Sequence, residues 1–188
     1  MSEADLQATI RGEFTPTHEI LVGRAFGKVL EDPDRYLIPG AFQCEGYTFG
    51  LDMMEPALAL MDRRGVYEAK ATKDYGPYTV VSKADQIVGA HLIEHKTTWS
   101  TFSFDKYAES YQWRYMVEAF QPLAVSYYVF SLGEERDGSI VLRDINTFRL
   151  YPYPELHHDC AALVDRFAEY VTLRGLDGLL RQRQKDAA

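Results

Sequence analysis

The stretch that most restricts what this chain can become is Ser82 to Thr98, Ser-Lys-Ala-Asp-Gln-Ile-Val-Gly-Ala-His-Leu-Ile-Glu-His-Lys-Thr-Thr. Its apolar and β-branched residues, interrupted at Gly89, predict two strands joined by a tight turn. Strand side chains alternate faces, so Glu94 and Lys96 share one face and His95 takes the other. Folding the second strand back on the first brings Asp85 beside Glu94. Two carboxylates and an ammonium on one sheet face are costly to bury by themselves. They suit a site in which a divalent cation and a phosphate lie between the side chains. The same residues also fit a plainer arrangement, Asp85 in a turn and Glu94–Lys96 an exposed ion pair contributing about 0–1 kcal/mol.

The rest of the chain is built around that hairpin. Residues 1–16 are polar and expected to be loose. Thr17 is a candidate N-cap for a helix over His18–Glu31, where Ile20, Leu21, Ala25, Phe26, Val29 and Leu30 recur at helical spacing. Glu31 at its C-terminus sits unfavourably with the helix dipole, which mildly favours a ligand role over a solvated one. Residues 32–49 carry Pro33, Pro39, Gly40 and Gly46 and predict a long loop. A second helix is expected over Gly50–Arg64, bent or broken at Pro56. Tyr78–Ser82 reads as a strand entering the hairpin, and Trp99–Phe104 as a connector. A helix capped by Asp105 is expected over Lys106–Phe120. Leu123–Leu132 is apolar, β-branched or aromatic apart from Ser126 and Ser131 and suits a buried central strand. Ser139–Tyr151 reads as a more exposed strand, and Pro154–Leu173 as a last helix. The expected order is helix, helix, three strands, helix, strand, strand, helix. That order makes an α/β chain of the α+β type with a mixed sheet of about five strands flanked by helices. Residues 17–180 are read as one domain and 181–188 as a flexible tail.

Composition bounds the chemistry. With 188 residues the chain has room for one well-packed domain. Its two cysteines, Cys44 and Cys160, cannot make a four-thiolate zinc or iron–sulfur site. His157-His158-Asp159-Cys160 is nearly contiguous on one helical turn and reads as a helix start, not a metal site. The formal charge of −8 weighs against a protein that coats nucleic acid, but not against an enzyme that grips it locally. No apolar run reaches bilayer length, and the acidic start Met-Ser-Glu-Ala-Asp-Leu is unlike a secretory signal, so a cytoplasmic protein with no membrane partner is expected. Glu68-Ala69-Lys70 repeats the Glu-x-Lys pattern without an acid on a preceding strand, and reads as solvated surface.

The arrangement of Asp85 with Glu94-His95-Lys96 on adjoining strands, a helix directly after, resembles the PD-(D/E)XK nuclease superfamily, and within it the RecB-like and phage-type exonucleases. Leu92-Ile93-Glu94-His95-Lys96-Thr97-Thr98 is similar to that family's acid-x-Lys-Thr strand. Glu109-Ser110-Tyr111-Gln112-Trp113-Arg114-Tyr115 is similar to its glutamine–tyrosine helix, and Gly23–Glu31 to the helix that often supplies a further metal ligand. The likeness spans about residues 17–132. It departs in two places: Gly27 stands where many members carry a histidine, and Tyr115 follows Gln112 by three residues instead of four. The resemblance implies a restriction-endonuclease-like core and a Mg²⁺- or Mn²⁺-dependent deoxyribonuclease. Asp85, Glu94, the backbone carbonyl of His95 and Glu31 would hold metal, and Asp85, Glu94, Lys96 and Gln112 would be catalytic. Gln112, Arg114 and Tyr115 would contact DNA. It also implies phage- or prophage-type recombination, with a homo-oligomer or a single-strand annealing partner. The alternative is a catalytically reduced module of the same fold that binds DNA ends or a protein.

Overall fold

The hairpin expected from the sequence lies in the middle of the larger of two sheets. The computed structural model describes residues 3–13, 15–176 and 178. In chain order these form α1 (Glu3–Arg11), α2 (His18–Glu31), α3 (Pro33–Tyr36), β1 (Leu37–Ile38), β2 (Ala41–Cys44), β3 (Tyr47–Gly50) and α4 (Leu51–Leu58). Then come β4 (Val66–Tyr75), β5 (Tyr78–Val88), β6 (His91–Thr98), α5 (Phe104–Ala108), α6 (Tyr111–Phe120), β7 (Ala124–Glu134), β8 (Ile140–Leu150) and α7 (Leu156–Leu173). The larger sheet has the order β4-β5-β6-β7-β8. Only β6 and β7 run parallel; the other neighbours are antiparallel. Parallel neighbours need a crossover, and α5 and α6 supply it. The fold is therefore α+β, a mixed five-stranded sheet flanked by helices, as the sequence implied.

The two faces of the sheet are covered differently. On one, α2, α4 and the small β1-β2-β3 sheet bury Val22, Phe26, Val29, Leu30, Phe49 and Met54 against Phe130 and Leu132 of β7. On the other, α6 and α7 bury Trp113, Met116, Val117, Cys160 and Val164 against Val125, Tyr127 and Val129. Alternate residues of β7 thus enter opposite cores, which explains why it is apolar between Ala124 and Leu132 at all positions but Ser126 and Ser131. Helix α2 lies close on β6. A Cβ on Gly23 would stand 2.4 Å from Thr97 Oγ1, so the glycine leaves room for the Thr97 hydroxyl against the helix. The β5–β6 turn is Gly89–Ala90, between the paired residues Val88 and His91, and Gly89 takes φ 58. A positive φ at the first position of a two-residue turn favours glycine and matches the twist of a hairpin.

Several expectations need correction. Within residues 1–16, Glu3–Arg11 is helical, and Ile10 is buried with Val171 and Leu176. The loop expected over 32–49 holds α3 and the small sheet, whose Phe42, Cys44 and Phe49 alternate into the core. Its Gly40 and Gly46, read as loop signals, take positive φ in its turns, and Glu45 beside Gly46 does so too at φ 51. The second helix stops at Leu58, two residues past Pro56, and does not reach Arg64. The three strands expected over 78–98 are two, β5 and β6; the extra strand of the sheet is β4, which contains Glu68-Ala69-Lys70. Helix 106–120 is two helices broken at Glu109 and Ser110, where Ser110 caps α6 by accepting from the Gln112 N–H at 3.2 Å. The segment 181–188 lies outside the described residues.

Candidate active site

The site is built where β5 and β6 part. Their ladder runs only from Val88↔His91 to Gln86↔Ile93. At the next position the Asp85 carboxylate replaces the backbone ladder, accepting the His95 N–H at Oδ2 from 2.8 Å. The β5 residues before it pair only with β4. Continuing the register sets Asp85 opposite Glu94, and the two carboxyls lie within electrostatic reach of each other.

Glu94 is the buried centre, 1 % exposed. Its Oε1 accepts from Lys96 Nζ at 2.6 Å and from Gln112 Nε2 at 2.5 Å. Gln112 reaches it from the first turn of α6, so the helix after the hairpin fixes the carboxylate from above. Glu94 Oε2 is buried and has no protein partner, and neither does the hydroxyl of Tyr127. Tyr127 is the β7 residue paired with Glu94. A buried unpartnered carboxylate oxygen is expensive unless a proton or cation meets it. Burial, helped by the charge on Asp85 and opposed by Lys96 and Gln112, pushes the Glu94 carboxyl up to about 7.

A cleft of about 570 Å³ opens beside this centre, between α2 and the strands. Asp85, Lys96, Glu31 and Gly27 line it, together with Glu68, Lys83 and Arg24. Glu31 is half-buried, and its carboxyl is raised first by burial and then by the charge of Asp85, which places the two within electrostatic reach. At Gly27 a Cβ would meet nothing within 4 Å, so the space a histidine would fill is open. The His95 ring turns to the α2 face, stacks on Tyr128 at 6.1 Å, and has its pKa pushed down chiefly by burial, against the charge of Asp85. The sequence reasoning missed Glu68, Lys83 and Arg24. For Glu68 the missing signal was strand β4, because only its pairing with β5 brings Glu68 beside Asp85.

Arg114 and Tyr115 do not join this set. Arg114 donates to the carbonyls of Glu109 and Ala108 and lies over the rings of Tyr111 and Trp113. Tyr115 donates to the Cys160 carbonyl at 3.1 Å and packs edge-on against Tyr75. Both tie α6 to its surroundings. A larger cleft of about 790 Å³ lies at the other end of α2, between the small sheet and β8, and contains none of the expected site residues.

The residues fit a hard divalent cation by donor chemistry: carboxylate oxygens, one buried and unpartnered. Among the described residues no three His, Cys, Asp or Glu side chains converge on one point. Asp85, Glu94 and Glu31 of the set implied above therefore do not meet at one point, which leaves Asp85, Glu94 and the His95 carbonyl for a single ion and sets Glu31 apart.

No protein-family model and no curated protein matches the sequence. Among solved structures, the chain is similar along its whole length to an alkaline exonuclease from Laribacter hongkongensis, 13% identical, covering 88% of that chain with a TM-score of 0.51. It has the fold of that exonuclease. A second likeness, to a protein named SSO0001, is 17% identical with a TM-score of 0.41; it takes in 58% of this chain and only 55% of that one, so the match spans about half the length of that protein. Among the described residues no helix is long and apolar enough to cross a membrane.

Proposed function

We propose that this chain is a Mg²⁺- or Mn²⁺-dependent deoxyribonuclease, an exonuclease hydrolysing phosphodiester bonds of linear DNA in recombination or DNA processing of the phage or prophage type. The observation that carries the reading is the Lys96–Glu94–Gln112 cluster, centred on the buried Glu94 carboxylate and close to Asp85, where two strands of an exonuclease-like sheet separate. An ion pair kept only for the surface has no need of a helix glutamine bonded to the same oxygen, nor of a nearly complete loss of solvent.

Asp85 and Glu94, with the His95 carbonyl, would hold the cation, and Glu31 would serve a second. When bound, such an ion supplies Lewis-acid chemistry: it acidifies water and offsets negative charge on a phosphate. The protein's own groups do the rest. Lys96 lines the cleft while Glu94 anchors it, so its ammonium is aimed at charge that develops on phosphate oxygens. Gln112 keeps Glu94 in one orientation, and Asp85 locks the His95 peptide. Hydrolysis adds water across one P–O bond and leaves a phosphate monoester and a hydroxyl.

Linear and circular DNA incubated with the protein and Mn²⁺, beside Glu94→Ala and Lys96→Ala variants, test the proposal. Degradation of linear DNA alone, lost in both variants, is the expected result. Equal activity in the variants would assign the cleavage to a contaminant and overturn the reading.

A further inference from the structure

Glu68 has φ 58, a left-handed backbone that residues with a Cβ seldom adopt inside a strand. It falls where the β4–β5 ladder skips a pair: Tyr67↔Gln86 and Ala69↔Ala84 are joined on either side, and Glu68 stands opposite Asp85. Its carboxylate ion-pairs with Lys83, and both side chains line the cleft that holds Asp85 and Lys96. On the other edge of β5, pairing with β6 stops at Gln86↔Ile93. Continuing that register sets Lys83 opposite Lys96. Two ammonium groups facing each other in a closed ladder repel. Here the strands have parted, and each lysine is held by a carboxylate of its own, Lys83 by Glu68 and Lys96 by Glu94.

We propose that Lys83 is a second phosphate-binding lysine of the cleft. It faces Lys96 across the opening between β5 and β6 and grips a backbone phosphate of the DNA strand, with Glu68 keeping it in place. The proposal rests on the cleft being a DNA site and adds to it a substrate-positioning residue. The Lys83 side chain is 46% exposed, so its three donors reach the cleft without a desolvation cost like that of Glu94. It also accounts for how a chain of net charge −8 can hold a polyanion: cations are gathered at one opening while the acids there are paired with them or reserved for metal.

The test is equilibrium binding of a fluorescent linear duplex by anisotropy, in EDTA, for the wild-type chain, Lys83→Gln and Lys83→Arg, with melting temperatures to check folding. Lys83→Gln is expected to weaken binding about three- to tenfold and to reduce the slope of log K against log salt by about 0.9, the share of one phosphate contact. Lys83→Arg should keep both. Unchanged affinity and slope in Lys83→Gln would overturn the proposal, as would a wild-type chain that binds no DNA. Cleavage with Mn²⁺ separates the two readings. Binding that depends on Lys83 without cleavage removes the nuclease and keeps the clamp; cleavage with Lys83→Gln binding like wild type removes the clamp and keeps the nuclease.

Discussion

Replacing Glu94 by glutamine should make the metal-free protein more stable at alkaline pH. The carboxyl is raised from its ordinary 4.5 to about 7, so the fold prefers it protonated. At 1.36 kcal/mol per pH unit, that displacement amounts to about 3 kcal/mol. The sign follows from proton counts. Between about pH 4.5 and 7 the native state binds more of this proton than the unfolded chain does, so this group's contribution falls as pH rises and is fully lost above 7. Glutamine has the same shape and still offers an oxygen to Lys96 and Gln112, but carries no charge to desolvate. Lys96, 30% exposed, can turn toward water when its partner is neutral. Glu94→Gln should therefore match wild type near pH 4.5 and exceed it by about 1–3 kcal/mol at pH 8. Urea unfolding in EDTA at both pH values measures this. A Glu94→Gln protein clearly less stable than wild type at pH 8 would refute the reasoning, because the Lys96 pair would then outweigh the burial of the charge.

Two further outcomes follow from the helices around the site. Gly27→Ala should stabilise the protein by about 0.5–1 kcal/mol in the same urea assay, since Gly27 is interior to α2 and a Cβ there meets open space. Tyr115→Phe should cost about 1 kcal/mol through loss of the bond to the Cys160 carbonyl and leave cleavage of linear DNA at the wild-type rate. A tenfold loss of cleavage would return Tyr115 to the site, where the resemblance had put it.

The parts legible in the sequence were those with a long or repeated signal. Helix α2 was readable because Ala25, Phe26, Val29 and Leu30 recur at its period, although Val22 and not Ile20 completes its buried face, and β7 because a strand covered on both faces is mostly apolar, with Ser126 and Ser131 as the exceptions between Ala124 and Leu132. The Asp85–Glu94–Lys96 set was readable because period 2 and one glycine turn determine which side chains share a face. The small sheet was not, since strands of two to four residues hold too few alternations to outweigh the prolines and glycines between them. Helix 106–120 concealed its break because Glu109 and Ser110 suit a helix surface; only the N-cap geometry of Ser110 shows that the chain restarts there.

Strand β4 was the costliest omission, and the reason bears on the site itself. Its sequence alternates polar and small residues with few apolar ones, because as an edge strand it buries little. Edge strands guard themselves with charge, and Glu68-Ala69-Lys70 reads in the sequence as solvated surface. Yet the same exposed edge forms the outer wall of the cleft, and the one residue whose backbone leaves the strand conformation stands opposite Asp85. A charged edge that only prevented aggregation would tolerate its charges anywhere along the strand. Holding Glu68 in a left-handed conformation beside the carboxylates ties this charge to one place, and that place is where the sheet opens.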